Sequence, residues 1–483
     1  MESDEVNTGK AKLFIENFIV YGLGGVISKL IPLIMLPIIT RLMPDTSYFG
    51  ISDMSNTVVS FGSALAVIGM YDAMYRMFFE KEDLFFRKKI CSTTLLFTVI
   101  MSIITASLMI VTKNIIAKYF FGNTAFAYLV YISAITTLVS ATNQIVSLPT
   151  RMQNKRKIYF VTNMISPILS YSIAIPLMLK GHAIIALPVA ALITGISLEV
   201  TFWVLNRHWF YIRLFDFKLL KQLLIIAIPL FPNFIIYWIF NSCDKIMITN
   251  ILNIGEAGIY SIGGKLAQVS QLIYIAFAGG WQFFAFSTMR EKNQVESNSK
   301  VFEYLAAISL FCLPFVFAFS RMIFCFIFPD NYSRGFIIAP YLFMAPLMQM
   351  LFQVASNQFI VIKKTWPNMF ILLGGALLNV SLNIILIPTI GIEGAAIATL
   401  LGYLCSDIIV CIVLCKMKLM IIYKRTLRAT FLVVLYILFW RFVIIYNDRV
   451  SILCAFMASS GVLILYKYEL TIIYMRIRRI LFK

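Results

Sequence analysis

The chain has 483 residues, of which 60% are hydrophobic and only 13% charged, with a mean hydropathy of +0.88. These values exclude a soluble enzyme or a disordered tail and place the chain in a bilayer. A net charge of +19 would suit nucleic acid, but the basic residues lie in short loops between apolar stretches, where they meet anionic headgroups instead.

A helix needs roughly 20 mostly apolar residues to cross about 30 Å of hydrocarbon. About fourteen stretches satisfy this, at roughly 14–39, 47–71, 90–112, 125–148, 158–179, 183–205, 219–241, 256–286, 301–327, 335–361, 366–388, 391–414, 425–445 and 450–468. They are continuously apolar, not alternating, which favours helices over a barrel. The first is too long for a cleaved signal peptide. Connections are short, and the longest, near 72–89, reads as a charged loop with no fold of its own. With the N-terminus inside, about 30 of the 41 Lys and Arg fall in cytoplasmic segments, including Arg87-Lys88-Lys89 and Lys155-Arg156-Lys157. That bias predicts both termini in the cytoplasm. The eight cysteines show no Cys-x-x-Cys pair, and His182 and His208 lie at span ends. No metal or cofactor is expected.

Two blocks of six spans repeat at an offset of about 208–210 residues. Thr40 to Ile51 resembles Thr249 to Ile259, and Lys155 to Gly181 resembles Lys363 to Gly391. An even number of spans per block makes the copies parallel. The expected architecture is all-α and integral to the membrane, with two six-helix lobes about a pseudo-two-fold axis. The lobes cover 1–210 and 211–415, and two further spans with a basic tail occupy 416–483. Parallel repeats of this kind are a transporter build, with substrate handled near the bilayer midplane.

Polar residues follow the repeat. Asn17, Tyr21, Gly24 and Ser28 share a face of span 1, as Asn233, Tyr237, Asn241 and Asp244 do in span 7. Span 2 carries Asp53, Asn56, Ser60 and Ser63; span 8 carries Ser261, Lys265, Gln268 and Gln271. Span 4 offers Ser140 and Gln144 where span 10 offers Gln349 and Gln353. Single residues of this type also simply join helices, but matched stripes in both halves point to a polar cavity. Lys29 and Lys265 lie at membrane depth and suit an anionic group such as a diphosphate; each could also snorkel or pair internally. Arg76, at the inner end of span 2, can draw in a headgroup or pair with Asp72 and Glu80. Arg321 and Arg441 are expected to snorkel at outer span ends. Glu199 and Asp407 occupy corresponding spans at the repeat offset and are candidates for H⁺ or Na⁺ coupling, with a structural hydrogen bond as the plain alternative.

Asn379 to Tyr403 reads NVSLNIILIPTIGIEGAAIATLLGY. This resembles the motif of polysaccharide exporters, in which a helix ending N-x-x-x-N-x-x-L-I-P leads to G-x-x-G-A-A-x-A-T. Asp244 to Leu266 and Gly22 to Gly50 resemble the span 7–8 and span 1–2 units of the same proteins. The family is the polysaccharide transporter branch, the O-antigen flippases, of the multidrug/oligosaccharidyl-lipid/polysaccharide exporter superfamily. The resemblance implies an alternating-access bundle in a bacterial inner membrane. Its substrate would be a polyprenyl-diphosphate-linked oligosaccharide, and polysaccharide polymerase machinery a partner. A drug exporter or a peptidoglycan-precursor flippase shares the fold. A polymerase or ligase enzyme would need a long outer loop bearing catalytic residues, and the outer loops here are short.

Overall fold

The computed structural model describes residues 29–287, 293–364, 366–469 and 471. The described part of the first span is a helix, α1, over 29–42. Then follow α2 (Thr46–Val67), α3 (Met70–Phe78), α4 (Leu84–Val111), α5 (Lys113–Phe121), α6 (Ala127–Val146), α7 (Leu148–Met152), α8 (Arg156–Leu179), α9 (Ala183–Asn206), α10 (Phe217–Ala227), α11 (Phe231–Ile251) and α12 (Ile254–Ser287). The remainder comprises α13 (Gln294–Ile327), α14 (Asp330–Ser333), α15 (Ala339–Val361), α16 (Trp366–Ile390), α17 (Ile392–Lys416), α18 (Lys424–Phe439) and α19 (Asp448–Leu465). Among the described residues 10 helices are long and apolar enough to cross a membrane, or 12 if each of two bent pairs counts as one span. These match expected spans 2–7 and 9–14. Helix α12 covers span 8, and span 1 is described only from residue 29.

The bends have local causes. Helix α2 stops at Ile68, forced to φ 46°, and Gly69 at φ 74°, so α3 leaves at 48°. The charged stretch after span 2 therefore begins as an amphipathic helix, where the sequence suggested only a loop. Its apolar side, Met70, Ala73, Met74 and Met77, is buried, and a charge count does not reveal that three-to-four spacing. In span 7, Pro229 and Pro232 separate α10 from α11 by a short 3₁₀ turn over Ile228–Leu230.

Caps define the starts. Asp83 accepts from the backbone N–H of Phe85 and Phe86, which opens α4. Asp216 does the same for α10 through Lys218 and Leu219. The duplication also reaches the backbone. Asn154 (φ 55°) and Lys363 (φ 59°) precede α8 and α16, and Gly181 (φ 85°) and Gly391 (φ 68°) end them. Four left-handed residues thus recur at the repeat offset.

The chain forms two compact units: described residues up to Ser261 with Ile387–Ile392, and Ile262–Leu386 with Glu393 onward. In the first, α6 packs against α2, α4 and α9, and α8 against α9. One core cluster joins Met74, Phe78, Ile145, Trp209 and Leu223, which binds α10 to α3 and α4. In the second, α13 is flanked by α15, α18 and α19. There the Ser459 hydroxyl donates to the Phe311 carbonyl at 2.9 Å and Tyr436 to that of Pro314 at 3.1 Å. The last two spans are fastened to α13 by hydrogen bonds as well as by apolar packing.

Candidate functional site

Within the first unit, α1, α2, α6, α8 and α9 surround a cavity of about 480 Å³, inside the ~300–1,000 Å³ range of small-molecule sites. Its wall carries Asn56 from α2, Thr136, Ser140 and Asn143 from α6, Asn163, Ser166, Ser170 and Tyr171 from α8, and Thr194 from α9. These fall at helical spacing, 163-166-170 on α8 and 136-140-143 on α6, so each helix turns one polar stripe inward. The buried Asn143 Oδ1 and Thr194 Oγ1 have no hydrogen-bond partner. Asn163 Nδ2 donates to the Tyr159 carbonyl at 2.8 Å, which leaves its Oδ1 as an acceptor. Pro167, also on the wall, supplies no N–H to the Asn163 carbonyl one turn back.

Of the polar residues singled out in the sequence, Asn56 and Ser140 reach this cavity. Lys29 is half-buried on α1. Asn17 and Tyr21 lie outside the described residues. Arg76 is exposed in the last turn of α3, and no ion pair with Asp72 or Glu80 forms. Asn233 and Tyr237 are half-buried on α11, and Asn241 is exposed, its Nδ2 donating to the Tyr237 carbonyl at 2.7 Å.

Asp53 is more deeply placed. Its carboxylate, 5% exposed, takes Lys245 Nζ at 2.6 Å and the Ser261 hydroxyl at 2.7 Å. Asp53 and Ser261 are 208 residues apart, so two positions equivalent in the repeat touch each other. Around them the backbones nearly meet. A Cβ on Gly50 would stand 2.1 Å from the Ile254 carbonyl oxygen, and one on Gly258 2.1 Å from that of Thr46. Both glycines are required by close approach. Lys245 was not singled out from the sequence, since nothing local to α11 announces its partner on α2.

In the second unit, Gln268 is exposed and Lys265, Gln271, Gln349 and Gln353 are half-buried; the Gln353 side-chain oxygen has no hydrogen-bond partner. The motif asparagines join α16 to α17. Asn379 Nδ2 donates to Thr399 Oγ1 at 3.1 Å, and Asn383 Nδ2 to Asn379 Oδ1 at 3.4 Å. Gly394 allows the corner, because a Cβ there would meet the Leu386 carbonyl oxygen at 2.4 Å. The Arg441 guanidinium forms a two-pronged pair with Glu393, Nη2 to Oε2 at 2.7 Å, while the Tyr341 hydroxyl donates to the same carboxylate at 3.3 Å. Arg321 likewise pairs with Asp448 at 3.6 Å. Both arginines keep about a third of their side chain exposed and are held by carboxylates distant in sequence. The two coupling candidates differ. Glu199 is half-buried beside Thr142, whereas Asp407 is 6% exposed with neither carboxylate oxygen hydrogen-bonded.

The chain thus combines apolar, span-length helices with backbone features that recur at the repeat offset and a cavity lined by amides and hydroxyls. The pattern of a polysaccharide biosynthesis protein family matches residues 38–333, more than half of the chain. The chain belongs to this family. No curated protein matches it in sequence. Solved structures give the fold. The lipid II flippase MurJ in an inward closed conformation superposes with a TM-score of 0.68 at 15% identity, covering 94% of this chain and 100% of that one. An inward-facing multidrug resistance MATE transporter of the MOP superfamily gives 0.58 at 13%, covering 82% and 98%. A MOP superfamily transporter from Pyrococcus furiosus gives 0.52 at 12%, covering 84% and 95%. This member of the polysaccharide biosynthesis family therefore has the MurJ and MATE fold.

Proposed function

We propose that the protein is a flippase that moves polyprenyl-diphosphate-linked oligosaccharide repeat units, of the O-antigen or capsule type, from the inner to the outer leaflet by alternating access. The observation that carries this reading is the polar, uncharged cavity inside a membrane-spanning unit of a polysaccharide biosynthesis family member. Glycans need many hydroxyl and amide partners, which Asn56, Asn143, Asn163 and their neighbours supply. The diphosphate needs cations, a role assigned to Lys29 and Lys265, with Arg76 meeting the headgroup at the inner surface. The polyprenyl chain stays in the bilayer. Asp407, a buried carboxylate without a donor, is the better coupling candidate, because an ion or proton there would relieve the cost of its burial. The work is transport, with both termini in the cytoplasm of a bacterial inner membrane and polymerase machinery receiving the product.

The test is deletion of the gene in its native strain, followed by extraction of lipid-linked sugars. Full-length repeat units should accumulate and clear on return of the wild-type chain. Unchanged lipid-linked pools and surface polysaccharide would overturn the reading. The likeness to the lipid II flippase over the full length of that structure favours one alternative, carriage of a peptidoglycan precursor. In that case the deletion would instead trap the cell-wall precursor and lyse the cells.

A further inference from the structure

Among the described residues the cavity wall contains amides, hydroxyls, a phenol and apolar groups, and no Lys, Arg, His, Asp or Glu. Glu199, adjacent in sequence to the lining Leu198, is not part of it and lies beside Thr142 instead. An anion brought here would meet no cation on the described wall. A hydroxyl or acetamido group would not suffer this, because both donate and accept, as the wall does. Two wall residues carry a buried polar atom without a hydrogen-bond partner, the Asn143 side-chain oxygen and the Thr194 hydroxyl oxygen. Buried polar atoms of native proteins are normally paired, and a small shift of either side chain would offer its free oxygen to a ligand in the cavity. Pro32, Val59 and Val139 interrupt the polar wall and suit the C–H faces of a sugar ring.

We infer that this cavity binds an uncharged sugar segment of the lipid-linked glycan and excludes acidic sugars. The inference rests on the flippase reading and adds to it a location and a charge selection. Asn143 and Thr194 accept from sugar hydroxyl or amide N–H groups, and the α8 stripe of Asn163, Ser166 and Ser170 completes the recognition. The diphosphate, being anionic, is held outside this cavity.

The experiment uses the full-length protein in lipid nanodiscs and three probes. The first is a polyprenyl diphosphate without sugar. The second is the same lipid bearing a neutral N-acetylhexosamine disaccharide, and the third bears a disaccharide containing a uronic acid. Affinity is read by native mass spectrometry. The neutral disaccharide should tighten binding by about tenfold over the bare lipid, the size of a few good hydrogen bonds, and the uronic acid form should not. Asn143→Leu should remove that gain. Ser166→Ala, a smaller change, should remove part of it, and Thr194→Ser should retain it. A bare lipid that binds with no gain from either sugar, or a gain equal for both sugars, would overturn the inference and leave the flippase reading standing. Failure of all three lipids to bind would overturn both.

Discussion

Asp53→Asn tests the packing at the centre of the repeat. The substitution leaves the Lys245 ammonium, 22% exposed, without its carboxylate. At 2.6 Å and an effective dielectric of about 20, the gross attraction is about 6 kcal/mol, much of it offset by the desolvation of both ions. Removal of one partner from a buried pair costs about 3–5 kcal/mol. Lys245 keeps some exposure, so the lower end applies, about 3 kcal/mol. The assay is equilibrium unfolding in mixed micelles of the wild type, Asp53→Asn, Lys245→Met and the double variant. Each single change should destabilise strongly. The double should recover a coupling of about 1–3 kcal/mol, since it leaves no lone charge. Additive singles, with coupling under about 0.3 kcal/mol, would refute the buried pair.

Other predictions follow from the same packing. Gly50→Ala or Gly258→Ala should sharply lower the yield of folded protein, whereas Gly374→Ala, with nothing within 4 Å of the new Cβ, should be neutral or stabilising by up to about 1 kcal/mol; equal yields would contradict the close crossing. Glu393→Gln strands Arg441, which is 35% exposed, and should cost roughly 2 kcal/mol after discount for that exposure, measured by the same unfolding assay. A hydrogen bond from Lys89 and another from the Leu219 backbone N–H hold the Asp216 carboxyl below the usual carboxylate range. Its stabilisation should therefore be present above about pH 4 and lost as pH falls through the lower folded value. Asp216→Asn should flatten that acid limb of the melting curve, and an unchanged limb would remove the linkage. Asp407→Asn should abolish the response of transport to an imposed H⁺ or Na⁺ gradient; a retained response would move coupling elsewhere.

Long apolar runs made the spans legible, because a bilayer imposes one length scale on every helix that crosses it. The duplication was legible too, down to Gly181 and Gly391, since a left-handed turn constrains residue type. The cavity was only partly so. Asn56 stood out beside Asp53, but Asn143, Asn163 and Thr194 are ordinary span residues until three helices converge. The stripe 163-166-170 and the flanks of Ser140 at 136 and 143 have helical spacing, but they have no counterpart among the polar positions matched between the halves. Ion pairs were the least legible. Asp53 with Lys245 and Glu393 with Arg441 join positions 192 and 48 residues apart, and no local pattern announces such partners. The loop expected after span 2 hid α3, whose buried face shows only at helical spacing.

The most direct test of the central claim is transbilayer movement in proteoliposomes. A polyprenyl-diphosphate-linked oligosaccharide is placed symmetrically in the vesicles, and an external glycosidase reports which sugars face outward. With the protein present, cleavage should proceed past the outer-leaflet share towards completion, and Lys29→Ala with Lys265→Ala should slow it. Cleavage that stops at the outer-leaflet share, with folded wild-type protein in the membrane, would contradict the account.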